Sequence, residues 1–162
     1  MSTTTTPPAD TPDHADVAFH PPFLLAGSLL LGFLIRRVVP FAFLPWKLSE
    51  PLRPIVTAAA FGLFFWAVRT MRAGHTSIPT SEPTDAIVKS GPYRFSRNPI
   101  YVAMLALHVG VGVWTDSAWF FVLAAVSAIL LWWGVISREE RYLERKFGAD
   151  YLVYKARVRR WL

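Results

Sequence analysis

The sequence has 162 residues, of which 53% are hydrophobic, 15% aromatic and only 17% charged, whereas about 25% of residues are charged in an average soluble protein. This composition excludes an ordinary soluble domain. The absence of cysteine excludes disulfides, thiolate metal ligands and a cysteine nucleophile, and no metal site is predicted. The net charge of +6 comes from lysines and arginines that flank apolar segments. We therefore expect a lipid bilayer, and no nucleic acid, among the partners.

Residues 1–22 are rich in Thr, Pro and Asp and hold too little apolar surface to order themselves, so a flexible tail is predicted there. The predicted membrane domain is 23–162. Four apolar blocks follow the tail: Phe23–Ile35, Pro54–Val68, Pro99–Trp114 and Ala118–Ile136. The first is shorter than the roughly 20 residues that a membrane-spanning helix needs. The residues alone leave open whether it spans.

A short polar turn around Asp116 separates the last two blocks, which predicts an antiparallel helical hairpin. The predicted fold class is therefore all-α. We expect a polytopic membrane bundle with three to four transmembrane helices, the last two forming the hairpin, followed by an amphipathic C-terminal helix.

The distribution of positive charge predicts the orientation of this hairpin. The loop from Arg69 to Arg97 holds five Lys or Arg and the tail from Arg138 holds eight, whereas the turn holds none. The positive-inside rule then predicts an integral protein of the inner (cytoplasmic) membrane, with its functional site on the cytoplasmic face. Four other basic residues would face outward in a four-span arrangement: Arg36, Arg37, Lys47 and Arg53. Either the first block does not fully span, or the C-terminal bias overrides them.

Two polar motifs lie at the cytoplasmic ends of the hairpin. In the first, Ser90–Tyr101, Gly91 and Pro92 signal a turn, and Asn98 is the predicted N-cap of a helix that begins at Pro99. The second, Ser137–Gly148, follows the last apolar block and carries two adjacent carboxylates. Because a hairpin returns to its own side, both motifs meet at one membrane face. Turn amides, cations and carboxylates together suit a zwitterionic cofactor.

These motifs read Gly-Pro-Tyr-Arg…Arg-Asn-Pro-x-Tyr from Gly91 and Glu-Glu-x-x-Leu-x-x-x-Phe-Gly-x-x-Tyr-x-x-Tyr from Glu139. They resemble the motifs of the isoprenylcysteine carboxyl methyltransferase family, to which phospholipid N-methyltransferases are related. The resemblance covers about residues 69–161. It implies a membrane methyltransferase whose S-adenosylmethionine is enclosed by the last two helices, the loop before them and the C-terminal tail. It also implies that the cofactor arrives from the cytosol and a lipophilic acceptor from the bilayer.

Carried over residue by residue, the resemblance places eight residues at the cofactor: Gly91, Tyr93, Arg97, Asn98, Pro99, Tyr101, Glu139 and Glu140. The prenylcysteine enzymes usually have His at the position of Asn98. An Asn can donate a hydrogen bond to a cofactor carboxylate, but it cannot titrate near pH 7. This departure excludes a general base at Asn98 and argues against a prenylcysteine substrate.

Methyl transfer from a sulfonium needs no protein nucleophile, because the cofactor carries the activated methyl group. Aligning donor and acceptor can contribute roughly 7–11 kcal/mol. Arg159 and Arg160 are the candidate catalytic residues, since a cation could hold a carboxylate acceptor. The acceptor stays open between a prenylcysteine-like carboxylate, a phospholipid amine and a small lipophilic thiol or acid.

Two other functions remain compatible with the sequence. One is an NADPH-dependent membrane reductase of the sterol-reductase type, whose C-terminal half resembles this family although its chains are longer. The other is a non-catalytic membrane protein. His108 is a candidate base within a membrane helix, and the alternative is a neutral His bonded to a neighbouring helix.

Overall fold

Each apolar block of the sequence lies in a helix of the computed structural model, which describes residues 14–74 and 84–162. The helices in chain order are α1 (Pro21–Val38), α2 (Trp46–Ala73), α3 (Pro99–Thr115), α4 (Trp119–Leu131), α5 (Ser137–Phe147) and α6 (Ala149–Arg157). A 3-10 turn, Gly91–Arg94, precedes α3, and a π-helical segment, Trp132–Ile136, joins α4 to α5. Within the two described ranges there is no β-strand.

Three helices of the described chain are long and apolar enough to cross a membrane: Pro21–Val38, Lys47–Ala73 and Trp119–Phe147. The shorter α3 is also apolar, and its 17 residues extend about 25 Å at 1.5 Å per residue, close to the roughly 30 Å of a hydrocarbon core. Large apolar side chains such as Leu30, Phe65 and Ile129 point outward. The predicted all-α membrane bundle with a C-terminal amphipathic helix is confirmed.

The helices pack closely because small residues lie where they cross. A Cβ atom at Gly32 of α1 would come within 2.6 Å of the Phe120 ring on α4. A Cβ at Gly112 of α3 would come equally close to the ring of Phe121. Glycine is needed at such crossings because membrane helices associate through close packing of their backbones. The contacts place α4 between α1 and α3, with α2 against the other side of α3.

The first apolar block forms a full-length helix. Helix α1 has 18 residues, or about 27 Å, because it continues through Arg36 and Arg37 to Val38. The Arg36 side chain donates from Nε to the carbonyl oxygen of Thr115 at 3.1 Å. The arginines therefore lie at the level of the hairpin turn, where they do not interrupt the span.

The second helix begins earlier than the apolar pattern predicts, at Trp46 instead of Pro54. Pro51 and Pro54 lie inside this helix, and each removes one backbone hydrogen bond. The carbonyls left without an amide belong to Lys47 and Glu50, whose exposed positions near the helix start allow hydration. The apolar block begins only at Pro54 because the charged residues Lys47, Glu50 and Arg53 interrupt the stretch before it.

Asp116 ties the α1–α2 connection to the hairpin turn. Its backbone is left-handed, with φ of 46°, and its carboxylate accepts hydrogen bonds from the amides of Phe43 and Leu44 at 3.1 and 2.9 Å. These amides lower the pKa of Asp116 below its usual value. Both connections therefore lie at one end of the bundle. The polar motifs, the start of α1 and the end of α2 lie at the other.

Residues 14–20, named here the N-terminal strap, cross this second end in a defined conformation. Ala15 is buried, the amide of Ala18 donates to the carbonyl of Gly134 at 2.9 Å, and Arg138 donates to the carbonyl of Asp16. Residues 14–20 of the predicted tail 1–22 therefore have backbone partners on the last membrane helix, Pro21 begins α1, and 1–13 lie outside the described residues.

Replacing Gly134 with Leu tests the anchoring of the strap. A Cβ at Gly134 would lie 2.5 Å from the Phe19 ring, so the larger side chain must displace the strap. We expect faster amide hydrogen exchange at 14–20 in Gly134→Leu, measured by mass spectrometry on the protein in nanodiscs. Gly62→Leu is the control, since nothing lies within 4 Å of a Cβ there. Parental exchange in Gly134→Leu would contradict the described anchoring.

Candidate functional site

A cavity of about 430 Å³ lies at the motif end of the bundle, within the roughly 300–1,000 Å³ that small-molecule sites occupy. We call it the motif cavity, because residues from both polar motifs line it. The polar and aromatic lining from the two motifs, the loop before them and the C-terminal helix consists of Thr84, Tyr93, Arg97, Asn98, Tyr101, Glu139, Glu140, Tyr142, Tyr151 and Tyr154. Apolar residues line the rest, among them Met71, Ile87, Ile100, Met104 and Leu143. The strap and the start of α1 contribute Ala15, His20, Pro21, Pro22 and Phe23.

The first motif forms the tight turn that the sequence predicts. Gly91 has a positive φ of 56°, which L side chains rarely adopt. A Cβ there would also lie 2.6 Å from the Thr70 hydroxyl at the end of α2. The turn buries Tyr93, whose carbonyl accepts a hydrogen bond from the Tyr154 hydroxyl at 2.8 Å. Gly91 therefore shapes the turn without lining the cavity.

Asn98 occupies the predicted N-cap position of α3, and Pro99 is the first helical residue. The predicted capping bond is wrong, because the Asn98 side chain makes no hydrogen bond to the helix amides. Its Nδ2 instead donates to the carbonyl of Arg160 at 3.0 Å. The C-terminal tail draws the side chain away from the helix, and Asn98 thus joins α3 to the tail.

Glu140 is the centre of a buried ion network. Its side chain is 6% exposed, and Arg97 reaches it at 2.6 Å with a side chain only 8% exposed. Arg160 adds two hydrogen bonds, from Nε at 3.0 Å and from Nη2 at 2.7 Å, which form a bidentate pair. These bonds raise the pKa of Arg160. The carboxylate of Glu140 is therefore neutralised within the protein.

The same network fixes the C-terminal tail against the first motif. Arg97 donates from Nη1 to the carbonyls of Lys155 and Val158, and its amide donates to the carbonyl of Arg159 at 2.9 Å. Ser96 pairs with Arg159 in a short parallel bridge. The guanidinium of Arg97 thus binds protein groups on several sides. Its role in the described structure is to hold the tail, α5 and the first motif together.

Glu139 has a different environment from its neighbour. One carboxylate oxygen accepts a hydrogen bond from the Tyr101 hydroxyl at 2.7 Å, and no cation of the described chain lies within ion-pair distance. Both Glu139 and Tyr101 line the cavity. Of the two adjacent carboxyl groups, Glu139 is therefore the one without a cationic partner in the described chain.

Three buried tyrosines of the lining remain protonated at neutral pH. Burial raises the pKa of Tyr93 and Tyr151 well above the usual value, and it raises the pKa of Tyr154 to about 12. Such phenols act as hydrogen-bond donors and aromatic faces, and they do not act as bases.

The structure brings most of the residues predicted at a cofactor into one place. Seven of them line the motif cavity: Tyr93, Arg97, Asn98, Pro99, Tyr101, Glu139 and Glu140. Gly91, Arg159 and Arg160 are not among its lining residues. The side chain of Arg159 is exposed, and that of Arg160 is bound to Glu140. A direct catalytic contact by either arginine therefore has no geometric support in the described chain.

His108 lies apart from the motif cavity. It is 1% exposed, its Nε2 lies 2.5 Å from the Ser28 hydroxyl on α1, and its Nδ1 faces the carbonyl of Met104 at 3.2 Å. This geometry matches the alternative of a His bonded to a neighbouring helix.

Sequence reasoning missed two parts of the lining. Tyr151 and Tyr154 were noticed as motif positions but not as site residues, although a spacing of three places both on one helix face. The strap residues carried no signal, because nothing in their composition shows that the last membrane helix offers them backbone partners.

Comparison with known proteins identifies the relatives of the chain. The sequence profile of the family described as phospholipid methyltransferase matches residues 53–150, which is more than half of the chain. An uncharacterized protein of Haemophilus influenzae is 38% identical over 65 residues, covering 39% of this chain and 100% of that protein. The cobalt-zinc-cadmium resistance protein CzcN of Cupriavidus metallidurans is 35% identical over 63 residues, 39% of this chain, and the chain spans only 29% of that relative. No solved structure matches the chain significantly.

Removing the Arg97 side chain tests the ion network. In Arg97→Ala, Glu140 loses its most buried partner and the tail loses two hydrogen bonds. We expect a loss of about 3–5 kcal/mol in the free energy of unfolding, typical of breaking a buried pair, measured by unfolding in mixed micelles. Arg159→Ala is the control, because its side chain is exposed and its backbone bonds survive. Similar stabilities of the two variants would contradict the structural role of Arg97.

Proposed function

Because the chain belongs to the phospholipid methyltransferase family, we propose that it uses S-adenosylmethionine to methylate a lipophilic or small acceptor in the motif cavity. The observation that carries this proposal is the pairing of charges in the lining. Glu140 and Arg97 compensate each other, while Glu139 keeps a carboxylate without a cationic partner in the described chain. A bound cation would supply that partner.

The lining suits S-adenosylmethionine in charge. This molecule is a zwitterion: it carries a negative carboxylate, a positive ammonium and a positive sulfonium. It also has two ribose hydroxyls. The free oxygen of Glu139 can accept a hydrogen bond from the ammonium or from a ribose hydroxyl, and such charge-assisted bonds are among the stronger ones. Asn98 donates one of its two amide hydrogens to the carbonyl of Arg160. The second hydrogen can be donated to the carboxylate of S-adenosylmethionine.

The aromatic part of the lining suits the donor as well. The buried tyrosines Tyr93, Tyr101, Tyr151 and Tyr154 line the cavity, and aromatic faces attract cations such as a sulfonium. Apolar residues such as Met71 and Leu143 can cover an adenine ring. The volume of about 430 Å³ is in the range of pockets that enclose a ligand of this size.

The contribution of the chain is alignment and the exclusion of water. When bound, S-adenosylmethionine supplies a methyl group already activated by the sulfonium. The ion network of Glu140 fixes the wall that carries Asn98 and Glu139, and fixed orientation reduces the entropic part of the barrier. Arg160 contributes to this wall as a positioning residue, without touching the cavity.

The distribution of charge supports one orientation of the protein in the membrane. Most of its 17 Lys and Arg lie at the motif end, whereas Arg36, Arg37, Lys47 and Arg53 lie at the opposite end. The positive-inside rule favours a cytoplasmic motif end in the inner membrane, with the cofactor half at about 69–161. The donor would then arrive from the cytosol, and an apolar acceptor from the bilayer.

Isothermal titration with S-adenosylmethionine tests this function. The parent protein should bind S-adenosylmethionine. It should not bind NADPH, which a reductase would bind. Glu139→Gln should weaken binding about 10- to 100-fold, since a charge-assisted hydrogen bond contributes about 1.5–3 kcal/mol. The control is Glu144→Gln, because Glu144 pairs with Lys155 outside the cavity. No binding by the parent would exclude the function, and unchanged binding by Glu139→Gln would exclude the proposed site.

A further inference from the structure

The ionisable groups of the motif cavity leave one candidate for proton transfer. Burial keeps Tyr93, Tyr151 and Tyr154 protonated, and an Arg cannot be deprotonated in a protein. Of the two carboxylates in the lining, Glu140 is bound by arginines and Glu139 is assigned to the donor. The remaining ionisable groups of the described lining are Tyr101 and Tyr142, which are also phenols, and His20. Imidazole is the side chain suited to proton exchange near neutral pH.

The position of His20 is set by its surroundings. It lies where the N-terminal strap meets α1, and its carbonyl accepts the amides of Phe23 and Leu24 at 3.1 and 3.3 Å. Its ring stacks on the Phe23 ring with centroids 6.1 Å apart, and both rings line the cavity. The strap itself is anchored to Gly134 and Arg138. His20 is exposed, and it is therefore held at the solvent-accessible edge of the cavity, next to Pro21 and Pro22.

The charges of the lining disfavour a carboxylate acceptor. Arg97 is the only Arg or Lys among the described lining residues, and its Nη atoms already donate to two carbonyls and to Glu140. A carboxylate in this cavity would meet Glu139, and the one cation of the described lining, Arg97, is already paired with Glu140 and keeps only its buried Nε without a partner. An amine or a thiol needs no such cation, but it must lose a proton before or during methylation.

Resting on the proposed function, we propose that His20 accepts the proton of a lipophilic acceptor that bears an N–H or S–H group. The acceptor's proton passes to a ring nitrogen of His20, and its lone pair forms the bond to the methyl carbon. The sulfur–methyl bond of the sulfonium donor breaks, and its electron pair stays on the sulfur as a thioether. His20 is thus a catalytic residue, and the strap forms the acceptor side of the cavity.

A methylation assay tests this inference. It uses purified protein in nanodiscs, tritium-labelled S-adenosylmethionine and three acceptor probes of equal chain length. Decylamine, decanethiol and decanoic acid present an amine, a thiol and a carboxylate. We expect methylation of the amine or the thiol and not of the acid. His20→Gln should lower kcat about 10²- to 10⁴-fold, the range of general base catalysis, without changing the Kd of the donor.

His14→Gln is the matched control, since His14 is an exposed residue of the same strap that does not line the cavity. A second readout needs no turnover: saturating decan-1-ol, which has the same chain length and does not consume the reagent, should protect His20, and not His14, from modification by diethyl pyrocarbonate. Methylation of decanoic acid, methylation of no probe, a parental kcat in His20→Gln, or equal modification of both histidines would overturn the inference. Failure of the parent to bind S-adenosylmethionine would instead overturn the proposed function.

Discussion

Glu140 leaves the membrane on α5 with a side chain that is 6% exposed, and arginines from two distant parts of the chain meet its carboxylate. Arg97 comes from the loop before α3, and Arg160 comes from the C-terminal tail. A buried charge is costly unless it is paired and hydrogen-bonded, so the three segments are constrained to meet. The wall of the motif cavity follows from this constraint, because it places Asn98 beside the tail and leaves Glu139 facing the interior.

Much of the fold could be predicted from hydropathy, since apolar blocks separated by short polar turns allow few arrangements in a bilayer. The hairpin of α3 and α4 is the clearest case. The ends of the first two helices could not be predicted, because they depend on tertiary partners. Arg36 is accommodated by a carbonyl of the hairpin turn, and the prolines of α2 lie where water can reach the freed carbonyls. The strap was missed for the same reason, since its partner is the carbonyl of Gly134.

The sequence predicts most of the residues that form the candidate site, but it does not predict what each of them contacts. The adjacency of Glu139 and Glu140 in the sequence suggests two equivalent carboxylates. The structure separates them, because neighbouring positions on a helix point about 100° apart. One carboxylate therefore meets two arginines and the other meets Tyr101. Arg159 and Arg160 were predicted at a substrate from their charge alone, and the folded tail instead turns Arg160 toward Glu140. No local sequence pattern predicts that the C-terminal tail folds back onto α5 and the first motif.

The proposed function of this membrane bundle is the transfer of a methyl group at the cavity beside Glu139. The most direct test incubates membrane vesicles with tritium-labelled S-adenosylmethionine and measures the label recovered in an organic extract. Vesicles that contain the parent protein should label the extract well above vesicles that lack it, and vesicles with Glu139→Gln should remain close to the background. Equal labelling by all three kinds of vesicle would contradict the account.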